Sequence, residues 1–177
     1  PGEVRAPLTF IVRQDTKPYF KSSALTGGLP EIFFETEDRT VTIHDMKAKA
    51  DDLDLDRNGF ELRRCPTAVD DLYDDAAMQR YDREIEFLLR DATGADRVVV
   101  FDHTIRVDDE SKMNRLKVRA PVKGVHNDFT TRSAPQRVRD LLPAEEAEAR
   151  LRKRYGSINI WRPIVSPVET KPLVICG

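Results

Sequence analysis

Apolar and polar residues along this chain follow two rhythms. Tyr81, Ile85, Leu88, Leu89 and Ala92 fall at i, i+4, i+7, i+8 and i+11, with Asp82, Arg83, Glu86 and Arg90 between them. This spacing sets one apolar stripe on a helix, opening after Pro66 and Thr67 and closed by Gly94, a residue suited to the left-handed turn beyond a helix end. A second helix is expected over residues 143–155, where Glu145, Glu146 and Glu148 lie near the start and Arg150, Arg152, Lys153 and Arg154 near the end. That polarity suits the helix dipole, and Gly156 is expected to stop it.

The second rhythm is that of strands. Residues 8–12, 40–43 and 59–63 are rich in β-formers, and 157–161 alternates between Pro-marked limits. The run 97–106 holds consecutive β-branched residues and reads as the strongest strand, buried on both faces. Residues 27–30, 48–58, 107–114 and 131–135 read as loops or connections. The order is mixed, α+β, without a repeat of fixed period.

Composition narrows the functions. The 177 residues carry 29 Lys+Arg against 31 Asp+Glu, a net charge of −2, with the signs interspersed. Nothing here favours a nucleic acid or a membrane surface. Cys65 and Cys176 are far apart with no paired spacing, which points to a reducing compartment. Apolar runs such as 98–101 are too short to span a bilayer, and a cytoplasmic protein is expected. The first residue is Pro1, and residues 172–177 read as an apolar strand barely begun. The expectation is a fragment whose strand at 173–176 is an unpaired edge.

Chemistry concentrates at residues 125–130, Val-His-Asn-Asp-Phe-Thr. Side chains at i and i+2 of a strand share a face, so His126 and Asp128 have the spacing to hold two neighbouring positions on one metal ion. They supply two thirds of the two-His, one-carboxylate set that binds non-haem Fe(II). Thr130 continues that face as a candidate to orient Asp128. His-x-Asp alone fits equally well a surface strand whose two side chains hydrogen-bond each other. His103 is expected to be a buried histidine on the 97–106 strand and not a ligand, and His44 a capping or surface residue. Arg132, Arg137, Arg139 and Arg162 are candidates to hold a carboxylate co-substrate. Trp161, beside Arg162, reads more simply as core. The chain lacks a G-x-S-x-G elbow, a phosphate-binding glycine loop, an H-E-x-x-H helix and a zinc-ribbon Cys pairing.

Four ordered blocks carry a resemblance. Residues 93–106 (TGADRVVVFDHTIR), 125–130 (VHNDFT), 136–143 (QRVRDLLP) and 158–164 (INIWRPI) resemble signature blocks of the CmcJ/NvfI-type hydroxylase and desaturase family, which includes AsaB-like and gibberellin-desaturase-like proteins. The similarity runs from about Leu8 to the last residue. It implies a double-stranded β-helix (jelly roll) core with flanking helices, and Fe(II)/2-oxoglutarate-dependent oxidation of a small metabolite, usually in secondary metabolism. By position, His126 and Asp128 match the first two iron ligands. The family's distal His lies beyond Gly177, so residues 1–177 are expected to be one incomplete oxygenase-like domain. Arg162 is the candidate anchor for 2-oxoglutarate, although the family's usual arginine lies beyond the same point. The competing class is a jelly-roll binding or scaffold module that has lost its metal.

Overall fold

The computed structural model of the chain describes residues 2–21, 23–26 and 31–176. In chain order the elements are β1 (Glu3–Ile11), β2 (Tyr19–Lys21), α1 (Ser23–Thr26), β3 (Glu31–Phe33), β4 (Thr36–His44), a short 3-10 helix (Lys47–Asp52), α2 (Leu55–Asn58), α3 (Asp75–Thr93), α4 (Glu110–Leu116), α5 (Ser133–Leu141) and α6 (Ala144–Leu151). The architecture combines helices with antiparallel strand pairs. Two compact units are made from interleaved stretches: residues 1–52, 106–128 and 161–177 form one, and 53–105 and 129–160 the other. The glycine loop expected at 27–30 lies outside the described residues.

The first unit is built on β1. It pairs antiparallel with β4 from Glu3 opposite His44 to Ile11 opposite Thr36. The pleat sets Val4, Ala6, Leu8 and Phe10 on one side, with Ile43 and Val41 opposite the first two. The strands expected at 8–12 and 40–43 are thus present and longer than their β-rich centres. A smaller hairpin, β2 with β3, stacks Tyr19 on Phe33 with ring centroids 4.4 Å apart. Residues 173–176 join no sheet among the described residues.

The second unit is organised by α3. The Asp74 carboxylate accepts from the Ala77 N–H (2.7 Å), and Gly94 ends the helix in the left-handed conformation at φ 65°, its N–H bonding the Arg90 carbonyl. Ala77, Tyr81 and Ile85, spaced i, i+4, i+8, are buried together with Val69. Leu72, Met78, Leu89 and Val100 pack around them. The apolar stripe read from the sequence is therefore the core of this unit, with its centre shifted one turn towards the helix start.

Several expectations are corrected. Residues 97–105 form no strand: no neighbouring strand among the described residues supplies the β-branched run with a ladder. The strands expected at 59–63 and 157–161 are likewise absent. Gly59 instead closes α2 at φ 77°, and Asp54 caps that helix through the N–H groups of Asp56 and Arg57. The polar run 107–114 contains α4, which starts where Asp109 accepts from the Lys112 N–H (3.1 Å). The turn-rich stretch 131–135 opens α5, with Pro135 in the first turn where its missing N–H costs nothing. The second expected helix is present as α6, but it stops at Leu151, before Gly156.

Helices α5 and α6 are tied by Arg139 and Glu148, whose side chains lie 2.6 Å apart. That guanidinium's hydrogen bond and charge hold the Glu148 carboxyl below the usual glutamate range. The folded-state pKa is depressed, so the stabilisation is present at neutral pH and is lost as pH falls through the depressed value. A carbon-detected NMR titration should find Glu148 still ionised where solvent-exposed glutamates are already half protonated. Arg139→Gln should return it to the ordinary range.

Candidate metal centre

Strand β1 is held on both edges. One edge carries β4; on the other, residues around Gly124 run parallel to it, with Thr9 bridging Gly124 and the Val125 N–H donating to the Thr9 carbonyl (2.9 Å). The Thr9 hydroxyl meanwhile donates to Asp38 on β4 (2.7 Å). The backbone one residue before His126 is thus fixed by the most extensively paired strand of the chain.

From that point the chain leaves the bridge and bends at Asp128, and His126 and Asp128 converge. The His126 Nδ1 lies 2.8 Å from the Gly124 carbonyl oxygen, an atom that only accepts, so Nδ1 carries the proton. The ring's Nε2 faces the Asp128 Oδ1 at 3.3 Å. Two donors at about 2.1 Å on adjacent octahedral positions lie about 3 Å apart, so the pair has the spacing of neighbouring metal ligands. Nitrogen with carboxylate oxygen is also a donor set suited to Fe(II). The side chains are 47% and 44% exposed, and Asp128 also has a further partner within the chain. The two side chains meet, but on a segment with one bridge and a bend, half in solvent, rather than on one face of a laddered strand in a β-rich core.

The other histidines are engaged elsewhere. His44 ends β4 and sits 3.0 Å from Glu3. His103 lies 2.6 Å from Asp82 on α3 and beside Tyr81. It is half-exposed, not buried as expected, because residues 97–105 lie along α3 with no sheet over them. No cluster of three or more His, Cys, Asp or Glu with metal-binding geometry occurs among the described residues.

Arg137 lies over the Phe101 ring at 5.5 Å, Arg139 is paired with Glu148, and Arg132 stands at the start of α5. Arg162 is half-buried in the same unit as His126 and Asp128, and already has a partner within the chain. Trp161 beside it is 48% exposed, so it is not core.

Thr130 turns towards the following helix rather than back to Asp128. Its hydroxyl accepts from the N–H groups of Arg132 (3.3 Å) and Ser133 (3.1 Å), while the Ser133 hydroxyl accepts from the Thr130 N–H (2.9 Å). Threonine therefore caps α5 one turn early. Thr130→Ala should cost about 1 kcal/mol in chemical denaturation, and Thr130→Ser should restore most of it. The Gly124 carbonyl is the participant that residue spacing did not reveal; main-chain acceptors leave no mark in side-chain patterns.

A family model described as an oxidoreductase/YMDC permease-like domain matches residues 8–177. The chain belongs to this oxidoreductase family. Within it, the hydroxylase/desaturase CTB9 of Cercospora beticola is 32% identical over 163 residues, covering 85% of this chain and 49% of that protein. The Fe(II)/2-oxoglutarate-dependent dioxygenase nvfI of Aspergillus novofumigatus is 29% identical over 154 residues, covering 84% and 54%. The resemblance read from the four sequence blocks is borne out by these relatives. Among solved structures, the iron and alpha-ketoglutarate-dependent endoperoxidase NvfI superposes with a TM-score of 0.68 at 24% identity, over 85% of this chain and 55% of that one. This member of the oxidoreductase family shares that fold over most of its residues and spans about half the length of the curated relatives it matches. No helix among the described residues is long and apolar enough to cross a membrane.

Proposed function

We propose that residues 1–177 belong to a single Fe(II)/2-oxoglutarate-dependent oxygenase domain that hydroxylates or desaturates a small metabolite, in cytoplasmic secondary metabolism. The observation that carries this reading is the His126 and Asp128 pair, its ring Nε2 and carboxylate oxygen 3.3 Å apart with the other ring nitrogen anchored on the backbone. In this reading His126 Nε2 and an Asp128 oxygen hold the iron. A third ligand, a histidine, comes from outside residues 1–177, since His44 and His103 are already paired. β1 and β4, with the bridged segment at Gly124, are the part of a jelly roll that positions the pair. When bound, Fe(II) with 2-oxoglutarate and O2 would supply the oxidising power, and the protein supplies orientation and a water-poor pocket.

The chain's own residues have three tasks. The Gly124 carbonyl keeps the His126 proton on Nδ1, so that Nε2 stays a donor. Asp128 sets a negative charge beside it, which favours a divalent cation. Arg162 offers a guanidinium fork to the distal carboxylate of 2-oxoglutarate.

Succinate formation by the full-length gene product, with Fe(II), ascorbate and 2-oxoglutarate, tests the proposal. The expected result is succinate release that Arg162→Gln shifts to a higher 2-oxoglutarate requirement. A product that binds no divalent metal and releases no succinate would favour the scaffold reading.

A further inference from the structure

In the second unit, residues 63–68 run beside α3 and are fastened to it at two points. Arg63 pairs with Asp91 at 3.0 Å, and with Glu61 on its own segment. Two turns earlier on the helix, Glu84 accepts from the Thr67 hydroxyl (2.5 Å) and from the Ala68 N–H (3.0 Å). Glu84 and Asp91 stand seven residues apart, a helical rise of about 10 Å. Between them on the same stripe, at i+3 and i+4 from Glu84, lie Phe87 and Leu88. Phe87 is 76% exposed. The two fastenings and this apolar stretch border an open groove of about 640 Å³, within the size range of small-molecule sites.

The charges in the groove are unequally used. Arg63, Asp91 and Glu84 are satisfied by the fastenings themselves. Arg64 and Arg83 line the same groove, and neither has an ion pair or hydrogen bond among the described residues. The chemistry left for a ligand is thus two guanidinium groups beside an aromatic ring and a leucine. A bare anion would leave Phe87 in water, and a neutral apolar ligand would leave both cations unmatched.

We propose that this groove binds an apolar carboxylic acid, its flat body against Phe87 and Leu88 and its carboxylate on Arg64 and Arg83. Both walls are pre-positioned by the fastenings, so little ordering has to accompany binding. The site uses no residue of the candidate metal centre and stands or falls independently of the oxygenase reading.

The probe is 2-naphthoate, titrated into isotope-labelled protein while backbone amide signals are followed. Saturable one-to-one binding is expected, with shifts concentrated on residues 63–68 and 83–91. The uncharged isostere 2-naphthamide should bind at least about tenfold more weakly, the loss expected when a charge-assisted contact is removed. The double variant Arg64→Gln/Arg83→Gln should show a similar loss, while Arg90→Gln binds as the parent does. Because neither Arg64 nor Arg83 has a partner, the double variant leaves no orphaned group and should keep the parent's dispersed spectrum. Four results would overturn the proposal: no saturation, equal affinity for the amide, unchanged binding in the double variant, or shifts centred elsewhere. Hexa-aspartate binding as tightly as the naphthoate would replace the small apolar acid with an acidic peptide, and would equally overturn it.

Discussion

His126→Ala should weaken divalent metal binding by at least about tenfold, since even the loss of a partner one step removed from a metal costs about 10–100-fold. Titration of Fe(II) under anaerobic conditions, or of Mn(II) followed by its paramagnetic resonance, would measure this directly on the chain. Asp128→Ala should match it, because either change reduces the 3.3 Å donor pair to a single ligand. Asp128→Glu should retain part of the affinity, having the charge but a longer reach. His44→Ala and His103→Ala should stay within about twofold of the parent, their imidazoles being occupied by Glu3 and Asp82. Unchanged metal affinity in both His126→Ala and Asp128→Ala would remove the pair from any metal role. In the full-length product the same two substitutions should abolish succinate release.

The second large effect concerns stability. Ile85→Ala should cost about 2–5 kcal/mol, the usual range for emptying a buried aliphatic position. Folded domains have only about 5–15 kcal/mol in hand. Ile85 is one of four residues in the central cluster of its unit, so few neighbours can close over the void. Urea unfolding followed by helical circular dichroism should show the midpoint falling steeply. Phe87→Ala, two residues further along the same helix, should change stability by no more than about 0.5 kcal/mol because its ring is largely in solvent. Equal effects from the two would mean that the apolar stripe of α3 had been assigned to the wrong face.

That contrast also shows which parts of the structure were legible in the chain. Helix α3 announces itself because a 3.6-residue period is a local property, and the Asp74 and Gly94 ends carry recognisable chemistry. The strands of residues 97–105 and 157–161 were misread because β-branched composition reports what a segment would tolerate, whereas a strand exists only where another strand donates to it. The short helices α4 and α5 escaped notice for the opposite reason. Each is fewer than ten residues long, too short for a period to emerge, and each is held by a cap, Asp109 or Thr130, that reads equally well as a turn. At the candidate metal centre, i, i+2 spacing was enough to bring His126 and Asp128 together. Their exposure was not legible, because it depends on what else packs nearby.

The anchoring of His126 on a main-chain oxygen has a practical consequence for engineering. The ring is aimed by the Gly124 carbonyl, and the segment is positioned by the Val125 N–H on Thr9; neither contact passes through a side chain. A library randomised across residues 120–125 should therefore deliver the imidazole to the same place in most of its members, leaving those positions free for reshaping the surroundings. Proline at 125 is the foreseeable failure, since it deletes the donor that docks the segment on β1. Mutational tolerance here is written into backbone atoms, so diversification can begin immediately next to the reactive pair rather than at a cautious distance from it.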